Sequence, residues 1–309
     1  MVKKTIRIGT RDSELALWQA HTVQKKLNDL GYKTQIISVK SDGDLLLDKP
    51  LYELGITGIF TKTLDVAMIN GQVDIAVHSM KDVPTALPKG IVQAAVLERA
   101  NELDILVHKA DLDFLESQGT IATGSLRRQA LWLNKYPNHE VVNLRGNVNT
   151  RMQKLHDNDW NGAVFAAAGL ERINLKPANF INLDWMTPAP AQGAMVVLAM
   201  ANDDFCIEAV SQLNDIDAEI CTYIERQFLK TLEGGCTAPI GAIAKYNENE
   251  DTIYFKGVLL SIDGKEKIEI EKQVNISEWK KLGFNLAQEI LNNGGSELMA
   301  KIKTQLKKP

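Results

Sequence analysis

The apolar positions of the first hundred residues change period repeatedly. Residues 5–9 alternate like a strand, whereas Ala16, Ala20, Val23, Leu27 and Leu30 recur at spacings of four and three and form one helical stripe. A helix is therefore expected over 13–30, with Ser13 as its N-cap and Gly31 just past its end. Strand patterns at 33–40 and 74–78, with a helix at 61–70 between them, complete a βαβ rhythm. Between Ser41 and Phe60 the periodicity breaks. Gly43, Pro50, Gly55 and Gly58 punctuate a segment too long for a simple connection, which reads as a lid loop.

A second βα series follows, with strands at 105–108, 120–123, 140–144 and 162–168 and a helix at 149–157. Pro188, Pro190, Gln192 and Gly193 introduce another apolar strand at 194–200, and a helix runs to about 213. Beyond Asp215 the style changes: a helix to 233, strands at 240–246, 252–261 and 267–274, and two closing helices, with Asp263-Gly264 as a hairpin turn. The pattern predicts two α/β units and a small C-terminal α+β domain.

Composition narrows the class. The 309 residues are 45% hydrophobic and 24% charged, enough for two or three domains with cores. A net charge of -4 argues against a surface built for nucleic acid or an anionic membrane. The N-terminus lacks the apolar core of a signal peptide, and the longest small-or-apolar runs, 162–170 and 193–201, are about half the ~20 residues of a membrane span. A soluble, cytoplasmic protein is expected. Cys206, Cys221 and Cys236 lack CxxC spacing, and the histidines lack an HExxH pattern, so neither a disulfide framework nor a metal site is expected.

Arginine is used sparingly: nine against twenty-six lysines. A guanidinium meets carboxylate oxygens two at a time, so selective arginine suggests oriented oxyanion binding. Arg11, Arg127 with Arg128, and Arg145 occupy three strand-to-helix transitions, the edge that carries ligands in open α/β sheets. Singly, each reads equally well as a solvated surface charge; together they point to a small ligand rich in carboxylates or phosphates. Lys81 and Asp82 end the strand pattern 74–78, where they form either an exposed polar turn or a carboxylate that steadies a cation. Cys236 follows a helix and two glycines, which favours it over Cys206 and Cys221 as the reactive thiol.

These segments occur together in one recognisable order. Arg11 with Ser13, 15–20, 74–84, 125–129, 144–148, 168–170, 192–194 and Glu233-Gly234-Gly235-Cys236 resemble the porphobilinogen deaminase family from end to end. The resemblance implies a monomeric transferase with two type II periplasmic-binding-protein-like α/β domains, one of residues 1–98 and 192–213 and one of 99–191, plus a small α+β domain, 214–309. It further implies that four porphobilinogen molecules are joined on a dipyrromethane cofactor, held by a thioether to Cys236, and released as hydroxymethylbilane for tetrapyrrole synthesis. Asp82 matches the catalytic carboxylate. Ser79, Lys81, Thr123, Ser125, Arg127, Arg128 and Arg151 match cofactor-binding positions; Arg11, Ser13, Phe60, Arg145, Arg172 and Gln192 match substrate-binding ones. Two departures stand out: Thr57 where the family usually has lysine, and Gly124 where serine is common. The rival reading is a non-catalytic polycarboxylate-binding protein or sensor, a role that leaves Cys236 without a purpose.

Overall fold

The computed structural model describes residues 4–39, 61–232 and 238–306. The expected lid loop with Thr57 and Phe60, and the segment bearing Cys236, lie outside the described residues.

In chain order the first elements are β1 (Thr5–Thr10), α1 (Glu14–Asp29), β2 (Lys33–Ser38), α2 (Lys62–Ile69), β3 (Ile75–Ser79) and β4 (Ile91–Val96). There follow β5 (Asp104–His108), β6 (Thr120–Ala122), α3 (Leu126–Lys135), β7 (Glu140–Val142), α4 (Val148–Asp157), β8 (Gly162–Ala166), α5 (Ala167–Glu171) and β9 (Phe180–Asn182). The chain continues through β10 (Met195–Met200), α6 (Asp204–Ser211), α7 (Ile216–Thr231), β11 (Ile240–Asn247), β12 (Thr252–Leu260), β13 (Lys267–Asn275), α8 (Trp279–Ile290) and α9 (Ser296–Leu306).

Two five-stranded sheets share one topology. The first has order β2-β1-β3-β10-β4 and the second β7-β6-β8-β5-β9. In each, the first three strands run parallel and the fourth is antiparallel to the third. A third, antiparallel sheet is β11-β12-β13. The fold is thus the expected pair of α/β layers with a C-terminal α+β portion.

The first sheet, with α1, α2 and α6, belongs to one compact unit that includes residues 61–100 and 193–219. Ala20, Val23 and Leu27 of α1 bury against Ile6, Ile8 and Ile75 of the sheet. β3, the central strand, parallel to β1 and antiparallel to β10, is buried on both faces and so lacks polar alternation. The second unit contains residues 101–192 and 220–306, so the second α/β sheet and the C-terminal sheet share it. Trp132 of α3 packs in one cluster with Val258 and Leu260 of β12. The hairpin tip also meets α3. Gly264 has φ +74°, and a Cβ there would stand 2.4 Å from the Ala130 carbonyl oxygen, while Asn134 Nδ2 donates to the Gly264 carbonyl at 2.7 Å.

Some boundaries differ from expectation. Ser13 occupies the N-cap position with extended dihedrals, but its hydroxyl accepts no bond from the first turn of α1. The expected strand 162–168 stops at Ala166, because Ala167 and Ala168 are strong helix formers and open α5. Strands β4 and β9, which extend the two sheets in the antiparallel sense, were absent from the sequence-based pattern.

Candidate active site

In the first unit, β3 runs into a single 3-10 turn, Met80–Asp82. Met80 is buried; its N–H donates to the Ala194 carbonyl at 3.0 Å and its own carbonyl accepts from Val83 at 3.1 Å. This fixes the backbone between the half-buried Lys81 and Asp82, which sit at the C-terminal end of the strand as the sequence indicated. Ser79 Oγ accepts from Gln19 Nε2 at 2.8 Å. Arg11 and Ser13 lie between β1 and the start of α1, both half-buried. Sequence reasoning gave no role to His78. Its imidazole is buried, Nε2 has no hydrogen-bond partner, and burial together with the Arg11 charge pushes its pKa down to about 3. The ring is therefore neutral at physiological pH.

In the second unit the predicted residues gather around one carboxylate. Asp104, at the start of β5, has no exposed surface. Its Oδ2 receives Arg127 Nη1 at 2.7 Å, and its Oδ1 receives Arg128 Nε at 2.9 Å and Gln192 Nε2 at 3.0 Å. Arg127 Nη1 also donates to the Thr187 carbonyl at 2.8 Å, and Arg128 Nη1 to that of Val164 at 3.0 Å. These arginines begin α3, where Ser125 Oγ accepts from the Arg128 N–H and Thr123 Oγ1 from the Ser125 N–H at 3.2 Å. Buried as they are, at 4% and 6% exposure, Arg127 and Arg128 are not solvated surface charges.

Two further turns carry the remaining arginines. Arg145 follows β7 and is buried, which pushes its pKa down. Asn147 caps α4 by accepting from Thr150 N–H at 2.9 Å, and Arg151 Nε donates to the Gly146 carbonyl at 2.7 Å. Gly124 brings the α3 turn against this one: a Cβ at 124 would stand 2.5 Å from the Leu144 carbonyl oxygen. The glycine that departs from the usual serine is thus required by this packing. Arg172 ends α5; burial, opposed by the charge of Glu171, lowers its pKa to about 10.

This donor set suits a ligand carrying several carboxylates. Arg127 Nε is buried without a hydrogen-bond partner. Burial also outweighs the Asp104 attraction and lowers the Arg127 pKa. An added carboxylate would satisfy such a donor and offset the cost of burying these charges.

The family model described as "Porphobilinogen deaminase, dipyromethane cofactor binding domain" matches residues 6–208, and "Porphobilinogen deaminase, C-terminal domain" matches residues 219–292. The chain belongs to the porphobilinogen deaminase family. It is 39% identical to the porphobilinogen deaminase of Carboxydothermus hydrogenoformans over 98% of both chains. It is likewise 39% identical to that of Campylobacter jejuni, over 97% of this chain and 99% of the relative, and 40% identical to the chloroplastic protein of Oryza sativa, over 96% and 84%. A periplasmic substrate-binding protein from Coxiella burnetii is similar in structure, with a TM-score of 0.42 and 16% identity over 67% of this chain and 91% of that one. The family is one of transferases acting in porphyrin biosynthesis with a dipyrromethane cofactor. Among the described residues no cluster of potential metal ligands occurs and no helix is long and apolar enough to cross a membrane.

Proposed function

We propose that the chain joins four porphobilinogen molecules on a dipyrromethane bound through Cys236, with loss of four ammonia molecules, and that water then cleaves the product from the cofactor as hydroxymethylbilane. The observation that carries this reading is the buried Arg127–Asp104–Arg128 cluster with Gln192, in which Arg127 Nε has no hydrogen-bond partner. In it, Ser79, Lys81, Thr123, Ser125, Arg127, Arg128 and Arg151 hold the acetate and propionate groups of the cofactor. Arg11, Ser13, Arg145 and Arg172 hold those of the substrate and growing chain; Phe60 belongs to the same substrate-binding set, and Gln192, whose Nε2 donates to the Glu102 carbonyl and to Asp104 Oδ1, serves it by steadying the arginine cluster. Every added pyrrole brings two carboxylates, so one arginine would not suffice.

Asp82 acts on the reacting ring. Breaking the aminomethyl C–N bond expels ammonia and leaves a cation on the substrate pyrrole, which an ionised carboxylate near the ring N–H stabilises as the charge develops. A bound dipyrromethane would supply a nucleophilic α-carbon to this cation, and Asp82, beside the ring, is the base placed to take up the α-proton as aromaticity returns. Asp82 is suited to this because the anchored Met80 leaves its turn little freedom.

The working division is three domains, 1–98 with 192–213, 99–191 and 214–309, supported by the three separate sheets. The family resemblance supports a cytoplasmic monomer, and the net charge of -4 supports the absence of a nucleic-acid or anionic-membrane partner. Supplying porphobilinogen and detecting hydroxymethylbilane, or the uroporphyrin that it forms spontaneously, tests the reaction. Consumption without either product contradicts it.

A further inference from the structure

Among the described residues, three that are not glycine have positive φ: Asn174, Asp251 and Ala191. Asparagine and aspartate tolerate this region, but alanine gains nothing there. Ala191 has φ +63° in a turn closed by Gln192 N–H donating to the Ala189 carbonyl at 2.9 Å. Pro190 before a left-handed residue gives the pattern of a type II turn, whose third position ordinarily selects glycine. A strained alanine persists only where its surroundings hold it.

The surroundings are supplied by Glu225, on α7, whose side chain has no exposed surface. Its Oε2 accepts from Ala191 N–H at 2.6 Å and its Oε1 from Ala244 N–H, on β11, at 2.7 Å. β11 is an edge strand of its sheet, and residues 188–191 run beside its open edge, where Ala242 N–H donates to the Pro188 carbonyl at 3.0 Å. Ala191 and Ala244 bring two donors to this junction, and donors cannot bond one another. A carboxylate, with an acceptor for each, resolves the conflict. The approach is close: a Cβ on Gly241 would stand 2.8 Å from the Thr187 carbonyl oxygen.

Both ends of the held segment reach the arginine cluster. The Thr187 carbonyl accepts from Arg127 Nη1 at 2.8 Å, and Gln192 Nε2 donates to Asp104 Oδ1 at 3.0 Å and to the Glu102 carbonyl at 2.8 Å. We propose that Glu225 is a positioning residue: by bridging Ala191 and Ala244 it keeps the Ala189–Gln192 turn in its left-handed form and so fixes Thr187 and Gln192 against Asp104, Arg127 and Arg128. It touches neither substrate nor cofactor. The inference rests on the reading that these arginines receive the dipyrromethane carboxylates.

Glu225→Gln provides the test, since an amide offers one acceptor and one donor and must turn an N–H₂ toward one of the two backbone donors. The quantity read is the rate at which cofactor-free protein gains the dipyrromethane mass when porphobilinogen is supplied. Glu225→Gln is expected to slow it about tenfold, the factor expected when left-handed backbone at an L-residue is no longer held. Adding Ala191→Gly, which removes the strain, is expected to restore the rate to within about twofold of wild type. A purely structural glutamate would show no such rescue. An unchanged rate in Glu225→Gln, or failure of Ala191→Gly to restore it, overturns the inference. The wild-type Ala191 amide proton gives a readout that needs no variant. It must resonate far downfield and exchange slowly, as a short bond to a carboxylate requires, and an ordinary, fast-exchanging amide overturns the inference even where Glu225→Gln fails to fold. Wild-type protein that gains no mass contradicts instead the cofactor reading beneath it.

Discussion

Asp104 and Arg128 meet through a fork: Nε at 2.9 Å and Nη2 at 2.7 Å both address Oδ1, leaving Oδ2 to Arg127. One carboxylate thus orients two adjacent guanidinium groups at the start of α3. Removing its charge leaves two buried cations under-compensated, so Asp104→Asn is expected to destabilise the fold by about 3–5 kcal/mol. Urea denaturation measures this, and a change below about 1 kcal/mol would reduce the cluster to a surface-like pair.

His78 makes acid stability depend on an imidazole as well as on carboxylates. Its folded pKa, about 3, lies below the ordinary 6.5, because burial first and the Arg11 charge second disfavour the imidazolium. Between these values the unfolded chain binds a proton that the folded chain refuses. Stability therefore falls as pH drops from 6.5 toward 3, by at most about 1.4 kcal/mol per pH unit. His78 ring nitrogen shifts should remain those of a neutral imidazole at pH 5, and His78→Phe should flatten this part of the pH–stability curve. An imidazolium signal at pH 5 contradicts the assignment.

Gly124→Ser should be costly in this chain although serine is common at the position in the family. Its Cβ would meet the Leu144 carbonyl oxygen at 2.5 Å, and the backbone shift needed is expected to cost about 1–3 kcal/mol. Gly124→Ala should cost as much, because the obstacle is the Cβ and not the hydroxyl. Thermal denaturation of both variants decides this, with equal loss expected and wild-type stability in either contradicting it.

Asp82→Asn should fold as wild type yet lose nearly all turnover, since a neutral amide cannot balance a developing cation; removal of such an electrostatic contact costs about 10²–10³ in rate. Single-turnover assays of cofactor-loaded protein measure it. Near-normal turnover removes Asp82 from the proposed chemistry.

What the sequence disclosed follows the range of the forces involved. The helix α1 was legible because Ala16, Ala20, Val23 and Leu27 mark its buried face at local spacing. The arginine-bearing turns were legible because scarce arginines fall where strands pass into helices. Asp104 was not. It opens an apolar strand without local pattern, and its importance comes from Arg127, Arg128 and Gln192, which stand 23, 24 and 88 residues away. Glu225 was hidden for a related reason: on an amphipathic helix a glutamate reads as a solvated position, and only the facing donors of Ala191 and Ala244 reveal otherwise.

The most direct test of the account is the intact mass of the protein made in cells that supply porphobilinogen. Wild type should exceed the mass of its sequence by one dipyrromethane, and Cys236→Ser should lack the increment. A wild-type mass equal to that of the bare chain, or an increment that survives Cys236→Ser, contradicts the central claim.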